Sequence, residues 1–179
     1  MINDYREPGQ LILLNGASSA GKSTLARLLL QQLPEPCWHW SFDHLRASNA
    51  LPMARMRPAG VDGFHRCLPA LATAGNNLIV EHTIEQEQWL ANLLQLLALS
   101  DVFFVGVHCP LPELERRERQ RGERRLGEPR RGFHAVHRFT EDDLALTATQ
   151  PPEGNVARLI MAWQARSRPT AFERMATHR

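Results

Sequence analysis

The stretch "NGASSAGKSTL", Asn15 to Leu25, stands between the apolar run "LILL" and the helically spaced "ARLLLQQL". Within it, Gly16, Ala17, Ser18, Ser19, Ala20, Gly21, Lys22 and Ser23 fit G-x-x-x-x-G-K-[ST] at every position, and Thr24 continues into the helix. The glycines let the backbone curl so that successive N–H groups point inward. A helix N-terminus behind them adds partial positive charge, and together they form a cradle for phosphate. In such a cradle the Lys22 ammonium reaches the β- and γ-phosphates and the Ser23 hydroxyl faces Mg²⁺. Shuffling this composition would produce the pattern only roughly three times in ten thousand, which disfavours an ordinary glycine turn.

Lysine usage sharpens the reading. Of the 21 basic residues, Lys22 is the single lysine and the others are all arginine. A compact ammonium fits beneath a phosphate where a planar guanidinium is too bulky, so position 22 is the one place where arginine does not serve.

Outward from the cradle, buried strands alternate with helices. "QLILLNG", "NLIVEH" and "DVFFVGVHC" are continuous apolar runs, as in strands covered on both faces; "CWHWSF" is a shorter one, and "DDLALTA" reads as an edge strand. Between them, "STLARLLLQQL", "HLRASNAL", "GFHRCLPALATAG", "EQEQWLANLLQLLALS" and "PELERRERQRGERR" read as helices, and "PPEGNVARLIMAWQA" closes the pattern with proline at its start. This alternation predicts a three-layer α/β/α fold, one parallel sheet of five strands with helices on both faces. One domain over 1–179 is expected, since 179 residues suffice for one core.

Composition narrows the class. With 43% hydrophobic and 22% charged residues the chain reads as globular, and no apolar run approaches the ~20 residues of a membrane span. The start "MINDYREPGQ" has no signal-peptide pattern, and three cysteines without C-x-x-C spacing suit reduced thiols; both favour the cytoplasm. The net charge of +2 conceals a basic surplus in 113–131. There, "RRERQRGERR" reads as a solvated helical face, a lid over nucleotide or a nucleic-acid patch. Gly122 interrupts it and no aromatics interleave, which favours the lid and argues against nucleic acid. The histidines form no H-E-x-x-H or tight Cys/His cluster, so a zinc site is not expected.

Phosphate can be switched upon or transferred. A guanine switch needs N-K-x-D, and the only lysine is already used, which leaves a compact kinase. Asp43, following "CWHWSF", is a candidate base at the carboxyl edge of the sheet, or equally an N-cap for "HLRASNAL". Glu81 near the end of "NLIVEH" is the candidate Mg²⁺-side carboxylate; His82 beside it either touches substrate or is structural.

These motifs together resemble chloramphenicol phosphotransferase and its P-loop kinase relatives. The likeness rests on "LLNGASSAGKS", on "LPEPCWHWSFDHL", on "FFVGVHC" running into "RERQRGERR", and on "AVHRF". It implies a nucleotide-kinase-like fold with ATP and Mg²⁺ as cofactors and a small hydroxyl-bearing acceptor, antibiotic resistance being one outcome. It makes Asp43 the base that takes the acceptor proton and Glu81 an acidic Mg²⁺-side residue. Arg117, Arg121 and Arg124 match the lid pattern R-x-x-x-R-G-[DE]-R within a lid of about 113–135. Two departures point away from chloramphenicol itself: His82 stands where the antibiotic kinase has a second Asp, and the acceptor segment, about 44–75, is shorter. In that segment and the strand before it, Trp38, Trp40, Met53, Met56 and Phe64 would line an apolar pocket or simply fill core, whereas Arg55 and Arg57 suit an acidic acceptor.

Overall fold

Each long apolar run becomes a strand, and in the computed structural model, which describes residues 7–49, 58–121 and 128–178, the strands line up side by side. In chain order they are β1 (Leu11–Asn15), β2 (Cys37–Ser41), β3 (Asn77–His82), β4 (Val102–His108) and β5 (Leu144–Thr147). The sheet order is β2-β3-β1-β4-β5, and every pairing is parallel. The three most buried strands, β1 throughout, β3 after Asn77 and β4 up to His108, are central or flank the centre, while the mixed-burial β2 and β5 are the edges. Full burial on both faces explains their unbroken hydrophobicity.

The helices are α1 (Lys22–Gln32), α2 (Phe42–Asn49), α3 (Pro58–Thr73), α4 (Glu87–Leu96), α5 (Leu111–Arg121), α6 (Glu128–Phe133), α7 (Pro152–Gln164) and α8 (Ala171–Thr177). Strand alternation divides the core in two. Ile12, Leu14, Ile79, Phe103 and Val105 face α1 and α7 through Leu25, Leu29, Val156 and Leu159. Their neighbours Leu11, Leu13, Leu78, Val80 and Phe104 face α3, α4 and α8 through Phe64, Leu68, Leu90, Leu93 and Phe172. The sheet is therefore a two-sided core, and each fully buried Leu or Phe side chain contributes about 1.5–3 kcal/mol relative to exposure.

Two boundaries differ from the sequence reading. α2 starts at Phe42 rather than after Asp43, directly behind β2, because Ser41 takes the capping role: its Oγ accepts the His44 backbone N–H at 3.2 Å. The chain also ends in a further helix, α8, opened by Thr170, whose side chain accepts the Glu173 N–H while the Glu173 side chain accepts the Thr170 N–H. This reciprocal capping box and the burial of Ala171, Phe172 and Met175 hold α8 against α4 and β4. Among the described residues, no helix is long and apolar enough to cross a membrane. Cys37, Cys67 and Cys109 are free thiols.

Candidate active site

In a parallel sheet all strands end at the same edge, so the turns after β1, β2 and β3 share one rim. The turn after β1 curls there. Ser19 and Gly21 sit in the left-handed region, at φ 65° and 97°, and Gly21 immediately precedes α1. At Gly16 the constraint is space, since a Cβ would fall 2.6 Å from the Val107 carbonyl oxygen. Lys22, only 9% exposed, folds back over the loop: Nζ donates to the carbonyl oxygens of Gly16 at 2.7 Å and Ala17 at 2.9 Å, and to Thr83 Oγ1 at 3.3 Å. Thr83 Oγ1 in turn donates to Gly16 O at 3.0 Å. A cation thus sits at the mouth of the cradle, with three oxygens among its partners.

β3 supplies the carboxylate. Ser23 Oγ, one residue into α1, donates to Glu81 Oε2 at 2.8 Å, and His39 Nε2 on β2 bonds the other oxygen, Oε1. Burial pushes the Glu81 carboxyl up, but the His39 hydrogen bond, the Lys22 charge and the Ser23 hydrogen bond together outweigh it. The net displacement is downward, so Glu81 is kept ionised.

The pleat sends His82 the other way, into the α3 and α4 layer. There its Nε2 bonds His65 Nε2 at 2.7 Å, with Phe64 and Trp89 against its ring. One proton between two ring nitrogens makes one imidazole the donor and the other the acceptor, so the two cannot both be protonated. Desolvation by burial, with His65 nearby, lowers His82 to about 3, and burial, despite Asp62, lowers His65 to about 4. His82 is a core residue of the far layer. The acid behaviour follows: below about 6.5 the unfolded chain takes up protons that these two sites refuse in the fold. Stability is full above that value and is lost as pH falls toward 4, at up to ~1.4 kcal/mol per pH unit for each histidine. Urea midpoints measured from pH 7 to 4.5 should fall steeply, and should fall less in His65→Leu/His82→Leu, where both partners are replaced together. Equal slopes in the two proteins would show that the pair does not control acid stability.

Asn15 at the end of β1 clamps the rim from within: Nδ2 donates to Val136 O at 2.7 Å and Oδ1 accepts the Ile84 N–H at 3.0 Å. Asp43 lies in the first turn of α2 and is exposed on the same rim. Arg117 on α5 reaches the cradle, its Nη1 3.4 Å from where a Cβ on Gly21 would be. Its Nε donates to Glu113 at 2.6 Å and its Nη2 to Ala148 O at 2.7 Å. Glu113 is lowered to about 2 by its hydrogen bonds to Arg116 and Arg117. With Arg130 paired to Glu115 as well, arginines of the basic stretch are matched by glutamates. Arg124 and the Arg121 side chain lie outside the described residues. A cavity of about 540 Å³ opens between Gly21, Thr24, Arg117 and Gln120 on one side and 148–152 with Asn155 on the other.

The sequence-predicted Lys22, Ser23 and Glu81 are therefore brought together, with Arg117 beside Gly21 and Asp43 elsewhere on the rim. His39, Thr83 and Asn15 are partners that sequence reasoning missed. Of the pocket candidates, Phe64 is core, Trp40 packs against it and Trp38 is 55% exposed. Met53, Met56, Arg55 and Arg57 lie outside the described residues.

Residues 9–164 match the family described as chloramphenicol phosphotransferase-like protein. The chain belongs to that family. A Mycobacterium tuberculosis H37Rv protein with the provisional name of an O-phosphotransferase is 34% identical over 93% of this chain and 88% of its own length. Among solved structures, the M. tuberculosis APS kinase CysC, in complex with AMPPNP and APS, matches with TM-score 0.68 and 22% identity over 88% of this chain and 98% of that one. Shikimate kinase from Aquifex aeolicus matches with TM-score 0.56 and 17% identity, over 87% and 97%. A gluconokinase from Sinorhizobium meliloti matches with TM-score 0.61 and 14% identity, over 89% and 94%. At these identities the structural matches show the fold, that of small-molecule kinases. The chloramphenicol phosphotransferase-like chain is kinase-like in architecture and a phosphotransferase by kinship.

Proposed function

We propose that this protein transfers the γ-phosphoryl group of Mg-ATP to a hydroxyl group of a small molecule. The observation that carries the reading is the Ser23–Glu81 hydrogen bond of 2.8 Å beside Lys22, a hydroxyl, an ionised carboxylate and an ammonium converging on the glycine loop that leads into α1. Hydroxyl and carboxylate are hard oxygen donors, which fits Mg²⁺. When bound, that ion neutralises phosphate charge and fixes the phosphate oxygens.

The chain's own residues do the rest. Backbone N–H groups of the loop, those of Gly21, Lys22 and Ser23 among them, bind the phosphates, and Lys22 exchanges its loop carbonyls for phosphate oxygens. His39 holds Glu81 ionised and oriented. The 540 Å³ cavity receives the base and ribose, with Arg117 at its border. Asp43 takes the acceptor hydroxyl proton, and Arg117, Arg121 and Arg124 close as a lid over 113–135 that excludes water and stabilises the transferring group. The acceptor binds against 44–75. An antibiotic-like alcohol and an unrelated metabolite both fit this reading, with ATP and acceptor as the partners and no nucleic acid.

The deciding experiment is a screen of hydroxylated antibiotics and metabolites with γ-labelled ATP and Mg²⁺. Labelled product from at least one alcohol is expected. ATP binding without product from any alcohol would instead identify a regulatory module that does not turn over.

A further inference from the structure

On the opposite side of β1 from Glu81, β4 carries a group that the phosphotransfer reading leaves unused. Gly106 on β4 has no side chain, and Asp142 occupies the space: a Cβ there would lie 2.0 Å from Asp142 Oδ2. The carboxylate is thereby seated against the strand, where it accepts a hydrogen bond from His108 Nε2 at 3.0 Å. The His108 ring stacks on His137, with centroids 3.8 Å apart and planes 21° off parallel.

These contacts leave donors over. His137 Nδ1 and Asp142 Oδ1 are buried without a hydrogen-bond partner, an arrangement that costs free energy unless something else takes the lone pairs. One donor atom from each of His108, His137 and Asp142 lies within 4.8 Å of the others. A cavity of about 330 Å³, walled also by Ala17, Cys109 and Thr147, opens against both imidazoles.

We propose that His108, His137 and Asp142 bind a divalent transition ion of the Zn²⁺ class, with the cavity supplying the remaining coordination position. Two imidazole nitrogens and one carboxylate suit Zn²⁺ or Co²⁺, whereas Mg²⁺ takes oxygens, so this site and the Ser23–Glu81 pair select different ions. Tetrahedral ligands at ~2.1 Å from zinc stand roughly 3.4 Å apart, so the ion draws the donors inward by side-chain rotation. When the ion takes the place of the His108 Nε2 proton, the ring coordinates as a neutral imidazole with its N–H moved to Nδ1. The sequence reading expected no zinc site because the three ligands are spread over 35 positions, outside any compact motif.

The test is titration of the chelator-treated full chain with Co²⁺, followed by visible d–d absorption, and with Zn²⁺ by calorimetry, both without nucleotide. One ion per chain is expected, with melting raised by about 5–10 °C at a Zn²⁺ concentration a hundred times Kd. His108→Ala removes a ring that is 42% exposed and should leave the fold intact. That variant and His137→Gln should each weaken binding at least about tenfold. Glu81→Gln and His39→Ala should leave it unchanged, separating the site from the other His–carboxylate pair. Absence of Co²⁺ absorption and Zn²⁺ heat, or equal affinity in His108→Ala, would overturn the proposal, and neither readout depends on phosphotransfer.

Discussion

Asp43→Asn should abolish most of the turnover while leaving nucleotide binding in place. Loss of a positioned general base lowers the chemical step by about 10²–10⁴-fold, and Asn is isosteric but cannot take a proton at neutral pH. The architecture makes this a clean experiment. Ser41 Oγ accepts the His44 N–H at the start of α2, and that cap is untouched by the substitution. The first-turn charge that goes is worth about 0.3–1 kcal/mol, small beside the stability of a domain of this size. The measurements are single-turnover transfer from γ-labelled ATP to the alcohol identified by screening, ATP affinity by calorimetry, and melting temperature. Near wild-type transfer would remove Asp43 from the chemistry.

Lys22→Ala should act on binding and chemistry together. Charge-assisted hydrogen bonds are worth about 1.5–3 kcal/mol each, so losing the ammonium should weaken ATP binding by about 10–150-fold. A further loss of about 10²–10³-fold in kcat is expected, because the same cation faces charge that develops during transfer. Lys22→Arg should rescue little. The ammonium lies buried among Gly16 O, Ala17 O and Thr83 Oγ1, and a guanidinium neither fits that space nor offers three donors from one point. Unchanged ATP affinity in Lys22→Ala would place the nucleotide elsewhere.

The sheet was legible because burial on both faces leaves no polar alternation to confuse a strand with a loop; β1, β3 and β4 read directly as apolar runs. The loop after β1 was legible because its motif fixes the spacing of eight consecutive residues. Partners that meet across long sequence separation were not. His39 reads as a strand residue between two tryptophans, and nothing nearby announces Glu81, 42 positions away. His65 and His82 stand 17 apart on a helix and a strand, and their bond appears only when α3 packs on the sheet. α8 is a different kind of miss. Its "TAFE" capping box was there to be read at Thr170 to Glu173, beyond the last helix assigned from sequence.

The division of β3 at its final two residues has a consequence for how such proteins diversify. Glu81 and His82 are chain neighbours, yet the pleat gives one to the cradle and the other to the far core layer. A replacement at 82 is judged by how it packs with His65, Phe64 and Trp89, and one at 81 by whether Ser23 keeps its oxygen. Position 82 can therefore drift through core-compatible residues while the Ser23–Glu81 contact on the rim is unchanged, so a difference there between two relatives speaks first of core packing.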